Sequence, residues 1–456
     1  MKLRHILIAA APFIAGTAFA APSAADVAKL GTTLTPWGAE KAGNADGTIP
    51  EYTGGLTKPP ANYDPKKPGI RPNPFPNDKP LFRIDAKNMD KYKDRLTPGT
   101  MAMMKKYPDY YINVYQTRRT AAYPQDVLEN SKKNATRCAT KNGDLGIDTS
   151  KGCGFGIPFP IPQNGLEVMW NHDARFRPTL MIKDVSINYV KPSGEHVVTA
   201  RGHNYKDYPF YDKSKEKPEA TLSFRMEYTG PTRLAGMNTL WHDMVEDSER
   251  RNHAYQPATR RVRLSPDSAA DTPISAAGGA MVYDEDQLFS GKKDRFDWKL
   301  VGKKEIFIPY NNFRAMYPGT PGACTVEERA KTARFQNPEC VRWELHRVWH
   351  VEATLKNGKR HVYSKRDFFL DEDSYSDGIS ENYDKAGNLY RINQQIGAPM
   401  YEVPAPSVTD NYVIDLISGV YMFQAASGGY TVIPRLSPSQ LSPDNLDKQF
   451  FRQYFK

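Results

Sequence analysis

Nine prolines fall between Pro50 and Pro80, among them the pair Pro59-Pro60 and the alternation Pro72, Pro74, Pro76. Proline fixes φ and lacks a backbone N–H, so this stretch can form neither a helix nor an inner strand. Residues 21–80 are therefore expected to be a Pro-rich arm or linker, and residues 81–456 a single large domain. Prolines number 36 in 456 residues, about 8% against a usual ~5%. The 26 Tyr, 20 Phe and 6 Trp exclude a low-complexity disordered chain. With 39% hydrophobic and 25% charged residues, an integral helical membrane protein is excluded as well.

Residues 1–20 read as a signal peptide. Lys2, Arg4 and His5 form a basic start, Ile6 to Phe19 is apolar but broken by Pro12 and Gly16, and Ala18-Phe19-Ala20 is a small-x-small cleavage signal. The cut is expected after Ala20. The apolar run is shorter than the ~20 residues a membrane span needs, and no cysteine follows the cut to carry a lipid. The net charge of +10 drops by two when Lys2 and Arg4 leave. An exported, periplasmic protein follows, in a compartment where disulfides persist. The four cysteines permit three pairings, of which Cys138 with Cys153 and Cys324 with Cys340 are favoured because each closes a polar, Gly/Pro-containing loop. In the chain-entropy model a loop of ~15 residues contributes roughly 3 kcal/mol. No C-x-x-C or C-x-x-H spacing suggests a metal instead.

Before the prolines, Ser23 is a plausible N-cap for a short helix through Leu30. A helical insert is expected near 97–140. Thr97-Pro98 caps and starts one helix carrying Met101, Met103 and Met104, and Pro124 starts another with Val127 and Leu128. The methionines suit either core gaps or a greasy ligand surface. After Gly165 the period becomes two, with β-like runs at Thr179–Val190, Glu195–Ala200, Thr221–Tyr228, Arg260–Leu264, Glu305–Tyr310 and Val413–Phe423. Trp349–Tyr363 predicts a hairpin turning at Asn357-Gly358, a pair suited to a type I′ turn. The fold class is mainly β (α+β), a large antiparallel sheet or open barrel. Ser437–Lys456 is expected to be short helical or irregular capping structure.

No phosphate-cradling loop, dinucleotide fingerprint or G-x-S-x-G elbow is present, so no cofactor is expected. His346 and His350 have zincin spacing, but Arg347 stands where glutamate is needed, and a solvated strand face is the expectation. Asp371-Glu372-Asp373, with Asp377 and Gly378, departs from the calcium-loop template at Tyr375, Ser376 and Asn382. A polar turn after Phe368-Phe369-Leu370 is expected, with cation binding left open. The doublets Arg118-Arg119, Arg250-Arg251 and Arg260-Arg261 either hold carboxylates, sit on solvated faces, or meet anionic lipid head groups or acidic glycans. Nucleic acid is not an expected partner.

Gly154–Pro162 (GFGIPFPIP) with Glu167-Val168-Met169-Trp170-Asn171-His172, then Tyr255–Arg263 (YQPATRRVR), then Phe368–Ser374 (FFLDEDS) resemble a bacterial family, the domain of unknown function thirteen twenty-nine. Phe155, Ala258-Thr259 and Tyr375 depart from its usual wording. The resemblance spans roughly residues 50 to 435. It implies a LolA/LolB-like fold, a curved antiparallel sheet or half-barrel wrapped around a few helices, with an apolar cavity for acyl chains. It also implies company with outer-membrane proteins and resistance-nodulation-division (RND) exporters, and it carries over no catalytic residue.

Three functions are compatible with these features. The first is a soluble periplasmic carrier that binds a lipid or other hydrophobic molecule. In it Trp170, Trp241 and Trp298 are candidates for the cavity rim, Arg260 and Arg261 would meet an anionic head group, and Trp343, Trp349, Tyr363 and Phe368 divide between core and cavity. The second is a scaffold docking on an outer-membrane barrel or exporter through the proline-rich arm. The third, a hydrolase using Asp371, Glu372 and Asp373, lacks a nucleophile or metal triad, and no enzyme is expected.

Overall fold

Sixteen strands form one sheet. In hydrogen-bonding order it runs Phe82–Asp85, Tyr111–Val114, Arg342–Leu355, Lys365–Asp371, Gly378–Tyr383, Leu389–Met400, Ala405–Asp415 and Tyr421–Ala426. It continues through Leu180–Val190, His196–Asp207, Ala220–Gly230, Asn238–Met244, Arg251–Gln256 and Arg261–Leu264. Phe296–Pro309 pairs with Arg342–Leu355, and Tyr430–Val432 with Leu180–Val190. All pairs are antiparallel except Tyr111–Val114 beside Arg342–Leu355. The two ends of the order do not meet, so the mainly β fold is an open sheet and not a closed barrel. The computed structural model describes residues 21–246, 250–265 and 270–448. The expected leader, residues 1–20, and the last part of the tail, 449–456, lie outside the described residues.

Two strand readings need correction. Val413–Phe423 is two strands, Ala405–Asp415 and Tyr421–Ala426. The break is an Asx turn: Asp415 Oδ1 accepts from the N–H of Ile417 and of Ser418, and Gly419 takes φ +71°. The hairpin after Trp349 is real, with Thr354 opposite Lys365, but Asn357-Gly358 lies inside a longer connection, residues 356–364. Within that connection two side chains turn inward to buried acids, His361 to Asp284 at 3.0 Å and Tyr363 to Glu285 at 2.6 Å. Those bonds displace the tight turn.

Caps place the helices. Ser23 accepts from the Asp26 N–H at the start of Ala24–Val27, which stops short of Leu30. Thr97 accepts from the Thr100 N–H and Pro98 opens Pro98–Lys106, where Met103 and Met104 are core residues. Gln125–Arg137 follows Pro124. Asn164 caps Gly165–Asp173, so Trp170 lies on a helix and not at a strand or loop edge. Cys138–Cys153 and Cys324–Cys340 are both bridged, with Cα separations of 4.7 and 5.8 Å. No helix among the described residues is long and apolar enough to cross a membrane.

Past its short helix the segment 21–80 is irregular, as its prolines require, but it is not a free arm. Trp37 is 1% exposed and belongs to the same core cluster as the sheet residues. Its ring meets Tyr123 and Tyr52 at 4.5 and 5.3 Å, and its Nε1–H donates to the Glu372 carbonyl. Arg71, fully buried, pairs with Glu402 and donates to the Tyr430 carbonyl. Trp37→Ala should therefore cost about 3–5 kcal/mol, as buried tryptophan truncations do, measured by urea denaturation. A loss under about 1 kcal/mol would show that the segment is dispensable to the fold.

Candidate functional site

Cross-strand register builds the first candidate. Lys206 lies opposite Phe224, Phe224 opposite Trp241, and Trp241 opposite Asn252. Two residues along, Asn204 faces Met226 and Met226 faces Thr239. Side chains two apart share a face, so both rows point the same way. With Val185 and Ile187 they line one wall of a cavity. The opposite wall is the irregular segment carrying Ile274, Ala276, Ala277, Met281 and Tyr283. It folds back where the Ile274 N–H meets the Met281 carbonyl and Gly278 takes φ +63°. A Cβ at Gly278 would lie 3.0 Å from the Tyr189 ring. The enclosed space is narrow, about 60 Å³, and reaches about 700 Å³ only when its open mouth and the solvent beside it are counted.

The cavity is apolar with a few polar groups. Phe224 and Trp241 stack with centroids 3.8 Å apart. Asn204 Oδ1, Asn252 Oδ1 and Trp241 Nε1 are buried without a hydrogen-bond partner, each at a cost of ~1–3 kcal/mol. Arg250, by contrast, is answered: it donates to both Asp243 oxygens at 2.7 and 3.0 Å and lies over the Trp241 ring. Asp286 accepts from Asn411 at 2.7 Å.

The second candidate is a buried charge cluster. Strand Arg342–Leu355 puts Glu344 and His346 on one face, two residues apart. The turn after Lys365–Asp371 adds Asp371, Glu372, Asp373 and Asp377, all no more than 2% exposed. Gly378 ends this turn at φ +149°, where a Cβ would lie 2.1 Å from the Phe369 carbonyl oxygen. His346 sits 3.3 Å from Glu344 and 3.3 Å from Asp371, stacked on Tyr310. Burial alone would lower its pKa, but the two carboxylates outweigh it and push it up to about 10. Arg119 clasps Asp373 through two bonds of 2.8 and 2.7 Å, and Lys303 holds Glu372 at 2.7 Å. Burial raises Glu372, and it lifts Asp377 to about 7 with the Asp371 charge adding to it.

The expected solvated face for His346 and His350 is thus overturned. His346 is 1% exposed and His350 8%, the latter stacked on Phe369 and bonded to Asp367. The acidic run does form a turn, but one enclosed by Trp37, Arg119 and Tyr123. His346, Asp371 and Asp373 have ligand atoms within 4.8 Å of one another. Yet Asp373 is held by a guanidinium and Asp371 by a cationic imidazole, so the positive charge such acids require comes from the protein itself.

The five residues singled out from the sequence do not converge. Trp241 lines the cavity. Trp170 is buried in its helix, with its Nε1–H on the Asp144 carbonyl and the Lys293 ammonium 3.7 Å from its ring. Trp298 packs against Phe289, Phe296 and Phe368. Arg260 and Arg261 are exposed at the turn between the last two strands of the sheet order. Trp343 and Phe368 are core residues, and Trp349 is half-buried against it. The cavity residues the sequence reading missed are Asn204, Lys206, Phe224, Met226 and Asn252. Phe224, Met226 and Tyr228 carried a usable signal, the period of two within Thr221–Tyr228. Asn204 and Lys206 did not, because the polar run after Ala200 hides the rest of its strand.

The model of the family described as protein of unknown function (DUF1329) matches residues 83–449. The chain is 41% identical over 431 residues to the uncharacterized protein PA3922 of Pseudomonas aeruginosa, covering 92% of this chain and 91% of that one. Three solved structures are also similar, each over 62% of this chain. An outer membrane lipoprotein-sorting protein domain from Vibrio parahaemolyticus is matched over 98% of its length, with 13% identity and a TM-score of 0.43. A DUF1329 family protein from Desulfovibrio piger is matched over 97%, at 14% and 0.41. The LolA superfamily protein NE2245 from Nitrosomonas europaea is matched over 99%, at 12% and 0.37.

The charge cluster has a pH signature. A histidine raised from ~6.5 in the unfolded chain to about 10 in the fold contributes stability that is complete below pH ~6.5 and lost as pH rises toward ~10, by up to ~1.4 kcal/mol per pH unit. Urea denaturation across that window should show a steeper decline for the wild type than for His346→Gln. Parallel declines would mean that His346 carries no proton in the fold.

Proposed function

The chain belongs to the DUF1329 family, and from that membership together with its cavity we propose that it is an exported periplasmic carrier of a lipid or other hydrophobic molecule. The observation that carries this reading is an apolar space between the sheet and the segment 274–286, into which Asn204, Asn252 and Trp241 present unpartnered polar atoms. Convergent polar groups in an apolar cavity are the usual composition of a small-molecule site. The narrowness of the space favours a slender occupant, such as an alkyl chain, over a bulky one. Each methylene buried contributes about 0.8 kcal/mol, so affinity arises from burial alone and no bond need be made or broken.

Two further features support the reading. The disulfides suit an oxidising compartment, and the leader-like residues 1–20 supply a route to it. The rival uses find less support. Residues 21–80, which a scaffold would use to dock, are anchored through Trp37 and Arg71. Asp371, Glu372 and Asp373, which a hydrolase would use, are buried against His346, Lys303 and Arg119.

Two measurements test the carrier. Protein exported to the periplasm and purified without detergent should release a hydrophobic species near one per chain, identified by lipid mass spectrometry. It should also bind the fluorescent probe N-phenyl-1-naphthylamine, and Ala276→Leu, which fills the cavity, should weaken that binding about tenfold (~1.4 kcal/mol) with the urea midpoint unchanged. Protein that is empty and also fails to bind the probe would overturn the proposal.

A further inference from the structure

Lys206 is the charged group of the cavity that nothing nearby answers. It lies in the row Lys206, Phe224, Trp241, Asn252, is 6% exposed, and lines the space. Its ammonium makes no hydrogen bond or ion pair among the described residues; what it meets is the Phe224 ring, whose centroid is 5.8 Å away. Of the other charged groups of the site, Arg250 is paired with Asp243, and Asp286 accepts a hydrogen bond from Asn411. Asp410, on strand Ala405–Asp415, feels the Lys206 charge but stands beyond ion-pair distance. A buried ammonium is tolerated when it has a counter-charge, and here the open position for one is the cavity itself. The unpartnered Trp241 N–H, on the same row two strands away, is a donor of the kind an anionic oxygen accepts from.

We propose that the cargo is an anionic amphiphile, a slender apolar chain ending in a carboxylate or phosphate, with Lys206 as the anchor of its head group. This rests on the carrier reading and adds to it the class of cargo and the residue that selects it. The apolar walls of Phe224, Met226, Ile274 and Met281 take the chain, while the ammonium and the indole N–H take the head. Arg260 and Arg261, exposed at the edge of the sheet, take no part.

Displacement of N-phenyl-1-naphthylamine by three ligands of equal chain length tests this: laurate, dodecyl phosphate and dodecanol. Wild-type protein should prefer at least one of the anions to the alcohol by tenfold or more, and the preferred head distinguishes a fatty acid from a phospholipid-derived cargo. Lys206→Met should abolish the preference, read within that variant as the ratio of anion to dodecanol affinity. Lys206→Arg should keep it, and Arg260→Glu with Arg261→Glu should leave it unchanged. Equal affinity of wild type for all three ligands overturns the anchor without any variant having to fold, as does a preference that survives Lys206→Met. In both cases the carrier reading stands. Failure of the probe and all three ligands to bind overturns the carrier reading and the anchor with it.

Discussion

One guanidinium ties together parts of the chain that local structure cannot. Arg119 clasps both oxygens of Asp373 and donates to the backbone carbonyls of Glu40 and Lys41. The proline-rich segment, the stretch before Gln125–Arg137 and the turn after Lys365–Asp371 meet at that point. Trp37 and Tyr123 close over the same turn through the carbonyls of Glu372 and Asp373. Removing one partner of such a buried pair strands the other charge in a poor solvent, which is why breaking one costs several kcal/mol even where the pair adds little over an apolar substitute. The turn is an acidic run enclosed by positive groups, and the segment 21–80 is held against the sheet as a consequence.

The cavity and the charge cluster occupy one sheet and differ in what surrounds their polar atoms. Around Asp371 most formal charges are matched: Arg119 with Asp373, Lys303 with Glu372, and His346 between Glu344 and Asp371. Around Trp241 the walls are apolar and polar atoms remain unmatched. Asp371 Oδ1, Glu372 Oε1 and the Tyr310 and Tyr375 hydroxyls also lack a hydrogen-bond partner, but they are enclosed among paired charges, whereas the unmatched atoms around Trp241 belong to residues that line open space. That contrast separates the two clusters more sharply than residue type does, since an acidic run beside a histidine looks more like an active site on paper than Asn204 or Met226 does.

Much of the local structure was legible in the sequence. Thr97-Pro98 started its helix, and the cysteines paired within their own loops. The β-like runs Thr179–Val190, whose alternation is interrupted, and Thr221–Tyr228 formed strands nearly where expected. Legibility failed where a long-range contact overrode a local preference. Asn357-Gly358 has the chemistry of a two-residue turn, but the inward pull of His361 and Tyr363 on Asp284 and Glu285 lengthened the connection. His346 reads as solvent-facing by its neighbours and is buried, because Tyr310 and two distant carboxylates surround it.

The sequence by itself determined the class of the fold, the disulfide loops, the helix starts and the irregular course of the prolines, because each follows from φ restriction, capping or side-chain period within a few residues. Which side chains share a cavity was decided only by the tertiary structure. Lys206, Phe224, Trp241 and Asn252 come from four strands, and only their mutual register aligns them. Among three candidate tryptophans the sheet delivered one to the cavity and gave the other two to packing. Register and burial are set by the sum of contacts across the whole sheet, which no short window of sequence contains.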